Sequence, residues 1–344
     1  MKTTLLDRIE YLHQLGKQLL TDADFKTQIA TAHIRNPFFV KEFVEKAVDG
    51  IVNQMLQKDL LIEWANQYSF LQEEREPKTI GIIMAGNIPL VGFHDFLCAY
   101  ISGNKVLIKL SSKDEVLFPS LLEILFRIDT EASKSIKLVM KLEGFDAVIA
   151  TGSNSSHNYF EYYFSKYPRL LRKNRNSVAV LNGNETDEEL NLLADDIFMY
   201  FGLGCRNVSS LMIPKGYDVT RLFPHFEKYN WFHDHNKYMN NYDYQRSILL
   251  LNRTEHLADD KIMLQQSEQL SGPMSVLYYS FYENQDLLKA ILVENEGKLQ
   301  CAVMCPELAQ TIGFSTSVNF GATQKPGLSD YADQIDTLLF FLEL

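Results

Sequence analysis

The chain has 344 residues, enough for two domains, and its 46% hydrophobic and 12% aromatic content can fill sizeable cores. A formal net charge of −11 excludes a general nucleic-acid binder, which needs a basic face. The cysteines, Cys98, Cys205, Cys301 and Cys305, show no paired-motif spacing, which excludes a zinc site and a disulfide framework and points to a reducing, cytoplasmic setting.

The opening residues are too charged for an export signal, and no apolar run reaches the roughly 18–20 residues that span a bilayer. Leu5, Ile9, Leu12 and Leu19 recur at helical spacing among charged residues, as in an amphipathic surface helix. Asn36-Pro37 reads as a helix start, a capping side chain followed by a first-turn proline. That helix carries Val40, Phe43, Val44, Ile51 and Met55 on one side, and a short helix over 60–68 completes a helical layer. A charged link, 73–78, follows. From residue 79 the texture changes. Apolar runs at 79–84, 105–110, 136–140, 146–150 and 177–181 read as strands. Helical stretches from Pro89 to 101, over 114–128 and over 155–166 separate them. Such alternation predicts a parallel sheet covered on both faces, with ligands bound beyond the carboxyl ends of its strands. Ala85-Gly86-Asn87, 109–113 and Thr151-Gly152-Ser153 fall there. A second α/β unit is expected after residue 182. It has helices over 187–200 and 219–229, an aromatic stretch over 229–244, and strands at 208–213, 248–251, 274–279 and 299–304. The closing stretch, 319–344, is punctuated by Gly and Pro and holds an apolar run at 338–342.

Cys205 stands between a helix end and a strand, beside Gly202 and Gly204, where a substrate can approach closely. A thiolate there can attack a carbonyl and hold the product as a thioester; the plainer alternative is a buried structural thiol. Asn87, where a strand gives way to a helix, either caps that helix or donates to a developing oxyanion together with the Cys205 N–H. Lys109, Ser111, Ser112 and Lys113 lie where a nucleotide ribose or phosphate would pass, or form a solvated strand end. Thr151-Gly152-Ser153 either faces a pyrophosphate or is a plain turn, and no Gly-x-Gly-x-x-Gly fingerprint occurs. Arg169, Arg172, Lys173 and Arg175 form a basic cluster suited to the 2′-phosphate of NADPH or the phosphates of coenzyme A, or else a solvated face. His233-Asp234-His235 lacks a third ligand, so no metal is expected, and His94 and His225 read as structural.

In order and spacing these residues resemble the aldehyde dehydrogenase superfamily. The resemblance rests on Asn87 in Ala-Gly-Asn-Ile-Pro-Leu, Gly103-Asn104-Lys105-Val106-Leu107-Ile108-Lys109, Thr151-Gly152-Ser153 and Gly204-Cys205. It implies an oxyanion-hole Asn87, cofactor contacts from Lys109 and the Gly-Ser turn, and a nucleophilic Cys205. More narrowly, the chain is similar to the LuxC-type acyl-CoA reductases, which make fatty aldehydes from acyl thioesters. Gly-Leu-Gly-Cys-Arg-Asn-Val-Ser, Gln300-Cys301, Asp330-Tyr331-Ala332-Asp333 and Asp336-Thr337 carry that similarity. Hydrolytic members place a water-activating Glu where this chain has Arg172, so thioester hydrolysis should be disfavoured. The element that holds the nicotinamide ribose corresponds to Gln269-Leu270-Ser271-Gly272-Pro273, with its Glu replaced.

The expected fold is α/β and aldehyde dehydrogenase-like. A helical layer and Rossmann-like cofactor domain occupy 1–182, and a catalytic domain occupies 183–325. Residues 326–344 should return to the cofactor domain or to an interface, and substrate should lie in the cleft between the domains. The activity implied is reduction of a fatty acyl-CoA or acyl-carrier thioester to the aldehyde through an acyl-Cys205. NADPH is preferred to NADH because of Lys109 and the basic cluster. The proposed cofactor contacts are Lys109, Ser111, Thr151, Gly152, Ser153, Arg172, Arg175 and Gly204. A short-chain acylating aldehyde dehydrogenase and a degenerate member that binds nucleotide or partner proteins stay open as alternatives, as does a homo-oligomer with a reduced oligomerisation arm.

Overall fold

The computed structural model describes residues 3–152 and 154–344. The chain divides into two compact units, Met1–Asn174 with Lys325–Leu344, and Arg175–Gln324.

The first unit opens with helices α1 (Leu5–Leu19), α2 (Ala23–Arg35), α3 (Lys41–Met55) and α4 (Lys58–Ala65). Thr4 and Asp7 close a capping box on α1, which buries Ile9, Leu12, Leu15 and Leu19 at the expected spacing. The predicted helix start at Asn36-Pro37 is not one. Asn36 ends α2, its Nδ2 donating to Lys113 O (3.2 Å) and its Oδ1 accepting from Phe38 N (3.1 Å), so the side chain holds a turn.

Strand and helix then alternate: β1 (Thr79–Ile83), α5 (Phe93–Ile101), β2 (Lys105–Lys109), α6 (Leu117–Ile128), α7 (Ala132–Ser135), β3 (Ile136–Leu138), β4 (Ala147–Thr151), α8 (Asn154–Tyr163) and β5 (Arg169–Arg172). The sheet is parallel, in the order β3-β2-β1-β4-β5. Its central strands are continuously apolar because both faces are covered. The helices pack one face through Leu12, Val44, Phe96 and Leu121 against strand residues such as Ile108, while Leu142, Phe145 and Val148 form a smaller core. Helix α5 begins at Phe93 instead of Pro89, because Leu90 takes a left-handed φ of 55° and breaks the helix there.

Residues 325–344 complete this unit. Trp64 Nε1 donates to Tyr331 Oη (3.0 Å), and Tyr68 Oη donates to Asp336 Oδ2 (2.6 Å). Tyr68 has one hydroxyl proton, so Tyr331 is the donor across the 2.7 Å gap between the two phenols. His94, structural as expected, meets Leu328 O at 2.9 Å.

The second unit contains β6 (Asn176–Val180), α9 (Asp187–Phe198), β7 (Val208–Pro214), a run of 3₁₀ turns (Val219–Asp234), α10 (Asn236–Leu251), β8 (Leu257–Ala258), β9 (Met263–Gln266), β10 (Val276–Tyr282), α11 (Gln285–Glu294), β11 (Leu299–Val303), α12 (Pro306–Ile312) and β12 (Ser317–Val318). The sheet order is β12-β11-β6-β7-β10-β9-β8, parallel except for β8 against β9. The segment read as the last strand of the first domain, β6, is thus an inner strand of the second sheet, and the division falls at 174/175. The strand expected at 248–251 is the last turn of α10, with Leu249 packed on Met263 and Val276.

Candidate active site

The segment leading to Cys205 is built on backbone strain. Tyr200 (φ 54°), Phe201 (φ 57°) and Gly202 (φ 71°) are successive left-handed residues after α9. Only the glycine is at ease there, and each non-glycine costs on the order of 1–3 kcal/mol unless its surroundings enforce it. Here an aromatic cage does so: Phe201 lies 4.4 Å from the His235 ring, 4.6 Å from Phe232 and 5.6 Å from Tyr238. Asn207, 2% exposed, clamps the loop from inside. Its Oδ1 accepts from Gly204 N (2.8 Å), and its Nδ2 donates to Met199 O (2.8 Å) and Asp196 O (3.1 Å). The Asn207 N–H also donates to Gly204 O (3.1 Å).

Cys205 itself is half-buried. Its carbonyl accepts from Ser177 Oγ at 3.0 Å. Arg206 Nε donates to Thr323 O (2.5 Å), tying the turn to a segment that Asp196 holds in place. The Asp196 carboxylate accepts from Gly321 N (2.7 Å), Thr323 N (3.1 Å) and Thr323 Oγ1 (2.7 Å). Burial pushes Asp196 up to about 6 despite those donors. Ser209 Oγ reaches Leu270 O (2.7 Å), fastening the Gln269–Pro273 segment to β7, with Gln269 exposed. The turn at Gly204 and Cys205 was legible from the two glycines, Gly202 and Gly204, that lead into it. Asn207, Ser177, Asp196 and Thr323 were not, since small polar residues beside strands carry no signal until the loop is closed over them.

In the first unit the carboxyl edge of the sheet gathers most of the remaining candidates. Asn87 follows β1, Lys109 ends β2, Ser111 lies two residues on, Thr151 ends β4 and Gly152 follows it; β1 lies between β2 and β4. Ser153 lies outside the described residues. A Cβ on Gly86 would sit 2.8 Å from Ser111 Oγ, and one on Gly152 2.9 Å from Phe160 and Ser156, so both positions require the missing side chain. Asp114, buried, accepts from Leu90 N (3.1 Å) and so anchors the Asn87 loop; burial raises it to about 6.

The basic cluster does not form a phosphate site. Arg172, expected to contact the cofactor, is 3% exposed. Its Nη2 pairs with Asp95 Oδ1 (2.7 Å) and Thr337 Oγ1 (2.7 Å), and its Nη1 donates to Ala332 O (2.6 Å). The end of β5 turns this guanidinium inward, where Asp95 neutralises it. Arg175 belongs to the second unit, and its Nη1 donates to Leu299 O (3.0 Å). The two arginines thus have separate duties. A cleft of about 1310 Å³ opens in the first unit beside Lys78, Asn104 and Lys105, at the amino ends of β1 and β2, the edge opposite Asn87 and Lys109. Among the described residues no group of His, Cys, Asp and Glu could hold a metal ion, and no helix is long and apolar enough to cross a membrane.

The sequence profile described as acyl-CoA reductase (LuxC) matches residues 8–218, more than half of the chain and inclusive of Asn87, Lys109 and Cys205. The chain belongs to the LuxC acyl-CoA reductase family. It is therefore an oxidoreductase that works between a thioester and an aldehyde. No curated protein matches it. Among solved structures it shares its fold with aldehyde dehydrogenase 21 of Physcomitrella patens in complex with succinate, at 10% identity over 96% of this chain and 79% of that one (TM-score 0.68). An aldehyde dehydrogenase of Mycobacterium tuberculosis complexed with NAD+ shares it at 12% identity over 92% and 78% (TM-score 0.66). A mutant aldehyde dehydrogenase C of Pseudomonas syringae, with NAD+ and octanal, does so at 13% identity over 92% and 76% (TM-score 0.60). The fold is thus α/β and aldehyde dehydrogenase-like. In this LuxC-family chain Asp333, Asp336 and Thr337 serve to latch residues 325–344 to the first unit, Asp333 Oδ2 accepting from Lys173 N (2.7 Å).

Proposed function

We propose that this acyl-CoA reductase converts a fatty acyl-CoA to the aldehyde with NADPH through a thioester on Cys205. The observation that carries the reading is a half-buried cysteine on a strained, internally clamped loop in a LuxC-family chain. Cys205 thiolate attacks the acyl carbonyl, the carbon–sulfur bond to coenzyme A breaks, and the coenzyme A thiolate leaves and takes a proton. The family resemblance assigns the oxyanion donors to the Cys205 N–H and the Asn87 amide. A trans peptide directs Cys205 N–H opposite to Gly204 O, which Asn207 N–H holds, so the donor's direction is set before substrate arrives.

The nicotinamide cofactor would lie at the carboxyl edge of the first sheet, where parallel strands bind ligands and where Lys109, Ser111 and Thr151 offer a cation and hydroxyls. Lys109, Ser111, Thr151 and Gly152 would hold it, and Lys109 is a cation that would favour a 2′-phosphate. When bound in reduced form it would supply the hydride that adds to the acyl carbon. The thiohemiacetal left on Cys205 then collapses, its carbon–sulfur bond breaking to give the aldehyde and the Cys205 thiolate. Arg172 stands where hydrolytic relatives carry their base, and a guanidinium paired with Asp95 cannot activate water. A fatty acyl group is supported by family membership, and one protein of the same fold binds octanal.

The test is NADPH oxidation across acyl-CoA thioesters of increasing length, beside Cys205→Ala and intact mass. The expected result is a preference for long chains, an acyl adduct on Cys205, and loss of both adduct and turnover in the alanine variant. A maximum at short chains would make the protein a short-chain acylating dehydrogenase. Absence of the adduct would leave a nucleotide or partner binder.

A further inference from the structure

We propose that Ser177 is a positioning residue for Cys205 and that the thiol of Cys301 orients it; the inference rests on the reading of Cys205 as nucleophile. Ser177 lies on β6 and is 0% exposed. Its Oγ donates to Cys205 O at 3.0 Å and lies 3.1 Å from Cys301 Sγ. A serine hydroxyl has one proton. With that proton on the Cys205 carbonyl, the Cys301 S–H donates to the Ser177 oxygen, and a short relay runs from β11 through β6 to the nucleophile's peptide.

The sheet is deformed where this happens. The register of β6 against β7 shifts between Ser177 and Val178, and that of β11 against β6 shifts between Leu299 and Cys301. Irregularities of this kind re-aim a side chain, and here they meet at one hydroxyl from both sides. An apolar residue at 177 would fill a fully buried site without a polar atom to satisfy.

The consequence falls on two dihedral angles. Asn207 N–H holds Gly204 O, which fixes the peptide before Cys205. Ser177 holds Cys205 O, which fixes the peptide after it. With both planes set, φ and ψ of Cys205 are set, and so are the direction of its N–H and the cone in which Sγ can lie. Ser177 thus acts on the reaction through backbone geometry, without touching substrate.

The experiment follows acyl transfer from a long-chain acyl-CoA to the full chain by time-resolved intact mass, for wild type, Ser177→Ala, Cys301→Ala and Cys301→Ser. In Ser177→Ala the acylation rate constant should fall about tenfold to a hundredfold, the scale of a small misplacement of a reacting group. Every molecule should still acylate at completion, with KM for acyl-CoA unchanged. Cys301→Ala should slow acylation severalfold and Cys301→Ser should restore it, which decides the matter if Ser177→Ala does not fold. Wild-type rates in a smaller labelled fraction would mark a residue that only supports folding and would overturn the proposal. So would equal rates in the two Cys301 variants. No adduct on Cys205 in wild type would instead remove the proposed function, and this inference with it.

Discussion

Asp114 is a buried carboxylate placed beside the loop that carries Asn87, and its titration should be visible in stability. Burial raises it from 3.8 to about 6, against the pull of the Leu90 N–H. Between those values the folded chain binds more protons than the unfolded chain, so this group stabilises the fold as pH falls through about 6 and destabilises it above. Asp114→Asn removes the titration and keeps an oxygen for Leu90. The difference in melting temperature, wild type minus variant, should rise as pH is lowered from about 7 to about 5. Asp196 titrates in both proteins and cancels. A difference that stays level with pH would count against the buried, raised carboxyl.

At the scale of elements, the segment 325–344 is held by a chain of buried donors, Trp64 to Tyr331 to Tyr68 to Asp336. Tyr331→Phe strands the Trp64 N–H, whose partner is gone, and should cost about 1–3 kcal/mol of stability by urea unfolding. No measurable loss would show that water replaces the phenol. Elements legible in the sequence were those whose apolar pattern matched their period, such as α1, α6, β1 and β4. Helix α2 buries only Phe25, Ile29 and Ala32, so its polar run gave periodicity little to work with. The end of α10, Ile248 to Leu251, is locally indistinguishable from a short strand, and only its packing on β9 and β10 decides. Arg172 shows the same limit at a site, since a guanidinium aimed inward at Asp95 and one aimed at a phosphate have the same sequence. The cysteine turn was legible because two glycines just before a thiol are a local cue. Its clamps were not, because Asn207 and Ser177 act across folded chain.

For the whole molecule, the second unit is spliced into the first, which leaves at Asn174 and resumes at Lys325. Deleting 325–344 should therefore injure the first unit selectively, since it bares Trp64 and Tyr68 and leaves the Arg172–Asp95 pair without its Thr337 partner. Hydrogen exchange should show β1, β2 and β4 losing protection while β6, β7 and β11 keep theirs; uniform loss would mean that the units melt as one. The same connectivity dictates an order of assembly on the ribosome, where earlier sequence emerges first. The nascent first unit, with its five strands already outside the tunnel, must wait while the inserted unit is translated and folds, and its core closes only when the latching segment emerges. During that interval its apolar docking face is open to chaperones and to other nascent chains.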